Sequence, residues 1–183
     1  RICFAVAICT QDKKFFSKSA DKVAKELLGK ILIRKLNGKF LKAKITETEA
    51  YFGSEDPASR AVQNGDLRQT MLMEAGTILV YGVHNNWLIN FVTNDKGKAE
   101  AVLIRALEPL NFNANTKGPG LLTKALKINK IFHKENICNE EDIWIENNNE
   151  KFRIIKSFRI GVKKDLKKKL RFYIKDNKYI SRK

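Results

Sequence analysis

The chain has 183 residues, with 36 Lys and Arg against 20 Asp and Glu, a net charge of +16 and 43% hydrophobic residues. That length suits one domain around one core rather than two independent domains, and the longest apolar stretch, Ile2 to Cys9, falls far short of the ~20 residues that a membrane span requires. Cys3, Cys9 and Cys138 are too few and too irregularly spaced for a disulfide framework, so a reducing, intracellular compartment is expected, and with His84 and His133 far apart no zinc-ligand set is expected either.

Ser19 to Gly29 reads as a helix, with Ala20, Val23, Ala24, Leu27 and Leu28 on one stripe, Ser19 able to cap its start and Gly29 placed to end it. Ile31 to Leu36 and Lys39 to Tyr51 read as two strands of a hairpin turned by Asn37-Gly38. Alternation along the second strand puts Leu41, Ala43, Ile45, Glu47, Glu49 and Tyr51 on one face, so an apolar face runs into two carboxylates. Phe52 to Glu74 is a loop with short pieces of structure. Thr77 to Tyr81 and Trp87 to Thr93 are strands around a polar turn at His84-Asn85-Asn86, and Ala101 to Leu107 is a further apolar strand. Lys117-Gly118-Pro119-Gly120 precedes a helix on which Leu121, Leu122, Ala125 and Leu126 share a face. Phe158 to Val162 and Leu170 to Ile174 have strand character. The sum is a single mixed α/β domain over residues 15–183, behind an N-terminal extension, residues 1–14, to which no targeting role is assigned.

The charge is unevenly placed: residues 1–44 carry a net +9 and residues 156–183 a net +10, leaving −3 for the middle. Two basic arms around a carboxylate-bearing centre point to a polyanionic partner, DNA or RNA before a membrane surface. Desolvation at Glu47 and Glu49 would disfavour their charged forms, which makes one of them a candidate general base. The competing reading is that both simply cap a buried arginine, and Arg105, between Ile104 and Ala106 on an apolar strand, is the candidate partner.

The run Ile45-Thr46-Glu47-Thr48-Glu49-Ala50-Tyr51-Phe52-Gly53, followed by Glu55-Asp56-Pro57-Ala58-Ser59, resembles the alkyladenine (3-methyladenine) DNA glycosylase family. Further matches follow in order: Leu27-Leu28-Gly29-Lys30, Met71 to Thr77, Asn90, Leu103 to Pro109, Ile128-Asn129-Lys130 and Leu170 to Tyr173. The resemblance implies a curved, largely antiparallel sheet with flanking helices and a protruding hairpin. It implies a monomeric enzyme without metal or cofactor, acting on double-stranded DNA that contains alkylated purines. Such an enzyme flips the damaged base out of the duplex and hydrolyses its glycosidic bond, leaving an abasic site. Glu49 matches the general base and Arg105 an active-site arginine beside the attacking water. Tyr51 and Tyr81 match aromatics that stack on the base, and Asn90 matches a pocket residue that discriminates against guanine. Lys117, Gly118 and Gly120 look like a phosphate contact.

Two positions depart from the family pattern. Arg60 stands where the family has a pocket histidine, and an arginine cannot accept a hydrogen bond, so the water must be held otherwise or the substrate range shifted. The hairpin around Val80 to Trp87 is one residue short, which aligns His84 with the family's minor-groove wedge tyrosine; an alternative alignment makes Tyr81 the wedge. A non-catalytic, damage-binding relative spoiled by Arg60 is the runner-up reading.

Overall fold

The computed structural model describes residues 7–12 and 14–183, so Cys3 and the start of the Ile2–Cys9 stretch lie outside the described residues. In chain order these form α1 (Ile8–Gln11), α2 (Ala20–Leu27), β1 (Ile31–Leu36), β2 (Lys39–Tyr51), α3 (Asp66–Met71), β3 (Ile78–Val83), β4 (Asn86–Thr93), β5 (Glu100–Pro109), α4 (Pro119–Ala125), β6 (Ile143–Glu146), β7 (Ile154–Ser157) and β8 (Arg171–Ile174). The strands make one antiparallel sheet in the order β3-β4-β5-β2-β1-β6, with β8 joined to β2 and β7 to β8. Among the described residues no helix is long and apolar enough to cross a membrane.

The β1–β2 turn needs two residues at positive φ, and Asn37 and Gly38 supply them at 50° and 74°. Helix α2 buries Ala20, Val23, Ala24 and Leu27 against β2 and β5. Fully burying a side chain such as Leu27, Ile45 or Ile104 in this core contributes roughly 1.5–3 kcal/mol each. Gly29 ends the helix at φ 80°, and a Cβ there would lie 2.3 Å from the Phe152 ring. Ser19 does not cap α2 with its side chain: its hydroxyl donates to Asp21 at 2.8 Å, and the Ala20 N–H that it would precede donates to Glu100 instead, also at 2.8 Å.

Strand β2 corrects the simple alternation. Its pairing with β5 slips between Ile45 and Glu47 and again between Glu47 and Thr48, a bulge that changes the parity of the strand. Before it, Ala43 and Ile45 pack into the core; after it, Ala50 does so, and the Thr48 hydroxyl donates to the Ala24 carbonyl of α2 at 2.7 Å. Ile45 and Glu47 therefore do not share a face, and Glu47 and Glu49 are turned away from the helix-covered core.

Three other expectations are corrected. Phe158 to Val162 is not a strand but the loop after β7; Arg159 is pinned by two carboxylates and Gly161 turns the chain at φ 74°. On α4 the buried face is Leu122, Thr123 and Leu126, while Leu121 is 41% exposed. Cys9 and Cys138 form a disulfide, with Cα atoms 5.4 Å apart across a separation of 129 residues. Their encounter follows from α1 packing on β6, with Ile8 buried and Ala7 bridged to Glu146, a long-range proximity that residue spacing does not reveal.

Candidate active site

Past its bulge β2 is flanked on both edges: Glu49 lies opposite Leu103 of β5 and Arg171 of β8, and Glu47 opposite Ala106 and Tyr173. With neighbours on both sides, both carboxylates are completely buried. Buried charges persist where they are paired and hydrogen-bonded, and both are. Glu47 Oε1 accepts from Arg171 Nε at 2.6 Å and from the Ser181 hydroxyl at 2.8 Å, and lies 3.4 Å from Arg105 Nε. Its other oxygen accepts from the Ser181 N–H.

Glu49 is held differently. Its Oε1 accepts from the Ile160 N–H at 2.7 Å, and its Oε2 accepts from the Tyr51 hydroxyl at 2.8 Å and faces Arg105 Nη1 at 3.4 Å. Arg105 thus spans both carboxylates, as the capping reading required, but Arg171 makes the shorter contact to Glu47 and Arg105 leans loosely on each. Burial pushes the Glu49 carboxyl above the ordinary carboxylate range, only partly opposed by Arg105, the Ile160 N–H and the Tyr51 hydroxyl. Burial, and then the neighbouring Glu49 charge, likewise hold the Tyr51 phenol well above its usual value. The resulting centre is a buried, proton-accepting carboxylate beside a cation.

Tyr51, Arg105 and Ile160, the three residues that touch Glu49, line a cavity of about 370 Å³ together with Arg60, Tyr81 and His84. Gly120 lines it too, because α4 starts hard against the β3–β4 turn: a Cβ on Gly120 would lie 2.6 Å from Asn86 Cβ. Sequence-predicted residues from five separate segments therefore meet around one opening. His84 stands at the turn of the β3–β4 hairpin with φ 47°, followed by Asn85 at 60°, and is exposed. The Arg60 guanidinium lies over the Tyr81 ring at 4.8 Å.

Glu49 itself meets the cavity only through the residues that hold it, and three predicted residues are placed elsewhere. Asn90 is buried on β4 with its amide donating to the Leu79 carbonyl at 3.2 Å, and does not line the cavity. Lys117 sits 5.5 Å from the Tyr179 ring, and Gly118 precedes α4 without reaching the opening.

The residues that sequence reasoning missed lie behind Tyr51. Arg159 donates to both oxygens of Asp56 at 2.6 and 2.7 Å, to Asp165 at 3.0 Å and to the Ala50 carbonyl at 2.9 Å, and its guanidinium stacks on Tyr51 at 4.5 Å. Burial raises the Asp56 pKa, but the Arg159 hydrogen bonds and charge together with the Phe52 and Ala58 N–H groups outweigh it and hold the carboxyl below its ordinary range. Ile160, whose N–H meets Glu49, is the next residue in the chain. The usable signal is Asp56 in the loop that follows β2, but charge counting does not say which of the basic residues in 156–183 pairs with it.

Removing only the Tyr51 hydroxyl separates its hydrogen bond from its ring. In Tyr51→Phe, Glu49 loses a donor that stabilises its ionised form, so the acid side of any Glu49-dependent rate should move to higher pH. A pH–rate profile of the variant that superimposes on that of the parent would contradict this.

The chain is similar to known proteins along most of its length. The profile of the methylpurine-DNA glycosylase family matches residues 14–178. Similar proteins that carry the provisional name 3-methyladenine DNA glycosylase include one from Clostridium tetani, 42% identical over 93% of this chain and 98% of its own length. Another, from Aeropyrum pernix, is 41% identical over 93% and 92%. A third, from Borrelia garinii subsp. bavariensis, is 39% identical over 93% and 99%.

Proposed function

Because the chain belongs to the methylpurine-DNA glycosylase family, we propose that it flips a ring-alkylated purine out of duplex DNA into the Tyr51–Tyr81 cavity and hydrolyses its glycosidic bond with water activated by Glu49. The class of activity follows from the family: a DNA-repair glycosylase, a hydrolase of N-glycosyl bonds. The finer steps are a reading of this site.

The observation that carries it is Glu49, a buried carboxylate of raised pKa whose three partners all line the cavity. A base of raised pKa takes a proton more readily. In the proposed step a water beside Glu49 and Arg105 attacks the anomeric carbon and gives its proton to Glu49. The C–N bond electrons leave with the purine, and the ionised carboxylate stabilises the oxocarbenium-like charge as it develops. A purine that already carries positive charge departs as a neutral base. Tyr51 supports the reading as the stacking platform, since Arg159 packs one of its faces and base–aromatic stacking is worth about 1–3 kcal/mol.

His84 is the proposed wedge, because it tops the hairpin and lines the opening. Filling the gap left by a flipped base opposes its return, so His84→Ala should weaken damaged-duplex binding and slow single-turnover excision about tenfold, on the scale of one lost base–aromatic stack. Unchanged affinity and rate would remove His84 from that role and favour Tyr81.

The direct test is single-turnover incubation, in EDTA, with a duplex bearing one alkylated purine. Release of the free base with formation of an abasic site is the expected result. Tight, damage-selective binding without release would instead support the non-catalytic reading and identify Arg60 as the residue to replace.

A further inference from the structure

The ionised groups in and behind the cavity are neutralised in sets. Glu47 is shared by Arg171 and Arg105, Glu49 faces Arg105, and Arg159 is held by Asp56 and Asp165. Among the described residues that line the cavity, Arg60 is the charged one without an ion pair. It follows Ser59, whose hydroxyl accepts from the Ala61 N–H at 3.1 Å and fixes the short helical turn Arg60–Val62. From that turn the guanidinium reaches across to cover the ring of Tyr81. One wall of the cavity therefore presents a cation where the sequence alone suggests a phenol.

A guanidinium has two properties that a base entering the cavity must meet. It is a permanent positive charge, and its N–H groups donate hydrogen bonds but accept none. It stacks favourably on a neutral π-system, whereas a base with its own positive charge is repelled. A purine whose edge offers acceptors can also pair with its donors.

On the glycosylase reading above, we infer that Arg60 is a specificity-determining residue that biases the cavity toward neutral, acceptor-bearing purine lesions and against cationic ones. Arg60 is exposed to solvent, which screens its charge and keeps the bias small, about two- to fivefold, the scale of an exposed cation–π contact.

The test uses two lesion duplexes: one with hypoxanthine, neutral with acceptors at O6 and N7, and one with 7-methylguanine, whose imidazole ring carries a fixed charge. Affinity is measured in a Glu49→Gln background, so that the bases stay attached, and single-turnover release is measured with Glu49 present. Each is done with Arg60, Arg60→Gln and Arg60→Lys. The expected result is that Arg60→Gln shifts the hypoxanthine-to-7-methylguanine ratio about two- to fivefold toward 7-methylguanine, and that Arg60→Lys, which keeps the charge, retains most of the original preference. A ratio that stays constant in Arg60→Gln overturns the inference, including the case in which both lesions weaken equally because Arg60 only shapes the wall. The two readings fail separately. If the affinity ratio shifts as expected but neither base is released, the glycosylase mechanism falls and the selectivity stands; Glu49-dependent release at a ratio indifferent to Arg60 does the reverse.

Discussion

Glu49→Gln should slow single-turnover base release by about 10²–10⁴-fold, the usual worth of a positioned general base, while leaving damaged-duplex affinity close to that of the parent. The amide preserves the shape of the side chain: its carbonyl can still accept from the Ile160 N–H, which holds the carboxylate at 2.7 Å, while its NH2 donates to the Tyr51 hydroxyl oxygen, which lies 2.8 Å from the other carboxylate oxygen. It cannot take a proton or balance developing positive charge. The pH dependence carries a second signature. Because burial holds the Glu49 carboxyl above its ordinary value, the ionised form is depleted as pH falls through that raised value, so release should decline on the acid side at a higher pH than an exposed glutamate near ~4.3 would give. In Glu49→Gln this acid limb should disappear along with the rate. Release surviving within tenfold, with the limb intact, would show that another group activates the water.

Asp56→Asn should be the most destabilising of the conservative changes at this site, costing about 3–5 kcal/mol, the range for breaking a buried ion pair by removing one partner. Asp56 and Arg159 both have completely buried side chains joined by two hydrogen bonds, and Asp56 also accepts from the N–H groups of Phe52 at 3.0 Å and Ala58 at 3.1 Å. The amide leaves the Arg159 charge with Asp165 alone. Denaturant unfolding should show a lower midpoint with an unchanged slope. The sign with pH is fixed by the depressed Asp56 pKa: its contribution is complete above the ordinary aspartate range and is lost as pH falls through the lower, folded-state value. The parent should therefore lose stability on acidification through that window, and the variant should lose less. A variant within about 1 kcal/mol of the parent, well under the ~3 kcal/mol floor for such pairs, would mean that Arg159 is held adequately without Asp56.

Much of the architecture was legible because it is encoded locally. Asn37-Gly38 announces its hairpin through the backbone conformations it permits, α2 through its stripe of Ala20, Val23, Ala24 and Leu27, and β5 through an apolar run interrupted only by Arg105 between Ala101 and Leu107. What escaped is set by contacts between distant segments. Alternation cannot see a bulge, so Ala43 and Ile45 were joined to the face of Glu47, although the grouping of Glu47, Glu49 and Tyr51 does not depend on that error. Strands β6 and β7 are four residues each and lie amid polar chain, too short for periodicity to register. Phe158 to Val162 has the composition of a strand, but Arg159 is drawn inward by Asp56, more than a hundred residues away. The pairing of Cys9 with Cys138 is likewise a fact of tertiary packing.

The position of β2 gives the two tasks of the site different exposure to thermal motion. Glu49 lies on a strand bonded on both edges, where amide hydrogens open to solvent only when most of the domain opens. His84 sits at the tip of a hairpin whose outer strand, β3, is the end of the sheet, where fraying costs least. On the proposed reading, the chemistry is lodged in the slowest-exchanging part of the fold and the probing of the duplex at its margin, so a hairpin that yields and re-forms at each encounter with undamaged DNA would leave the carboxylate undisturbed.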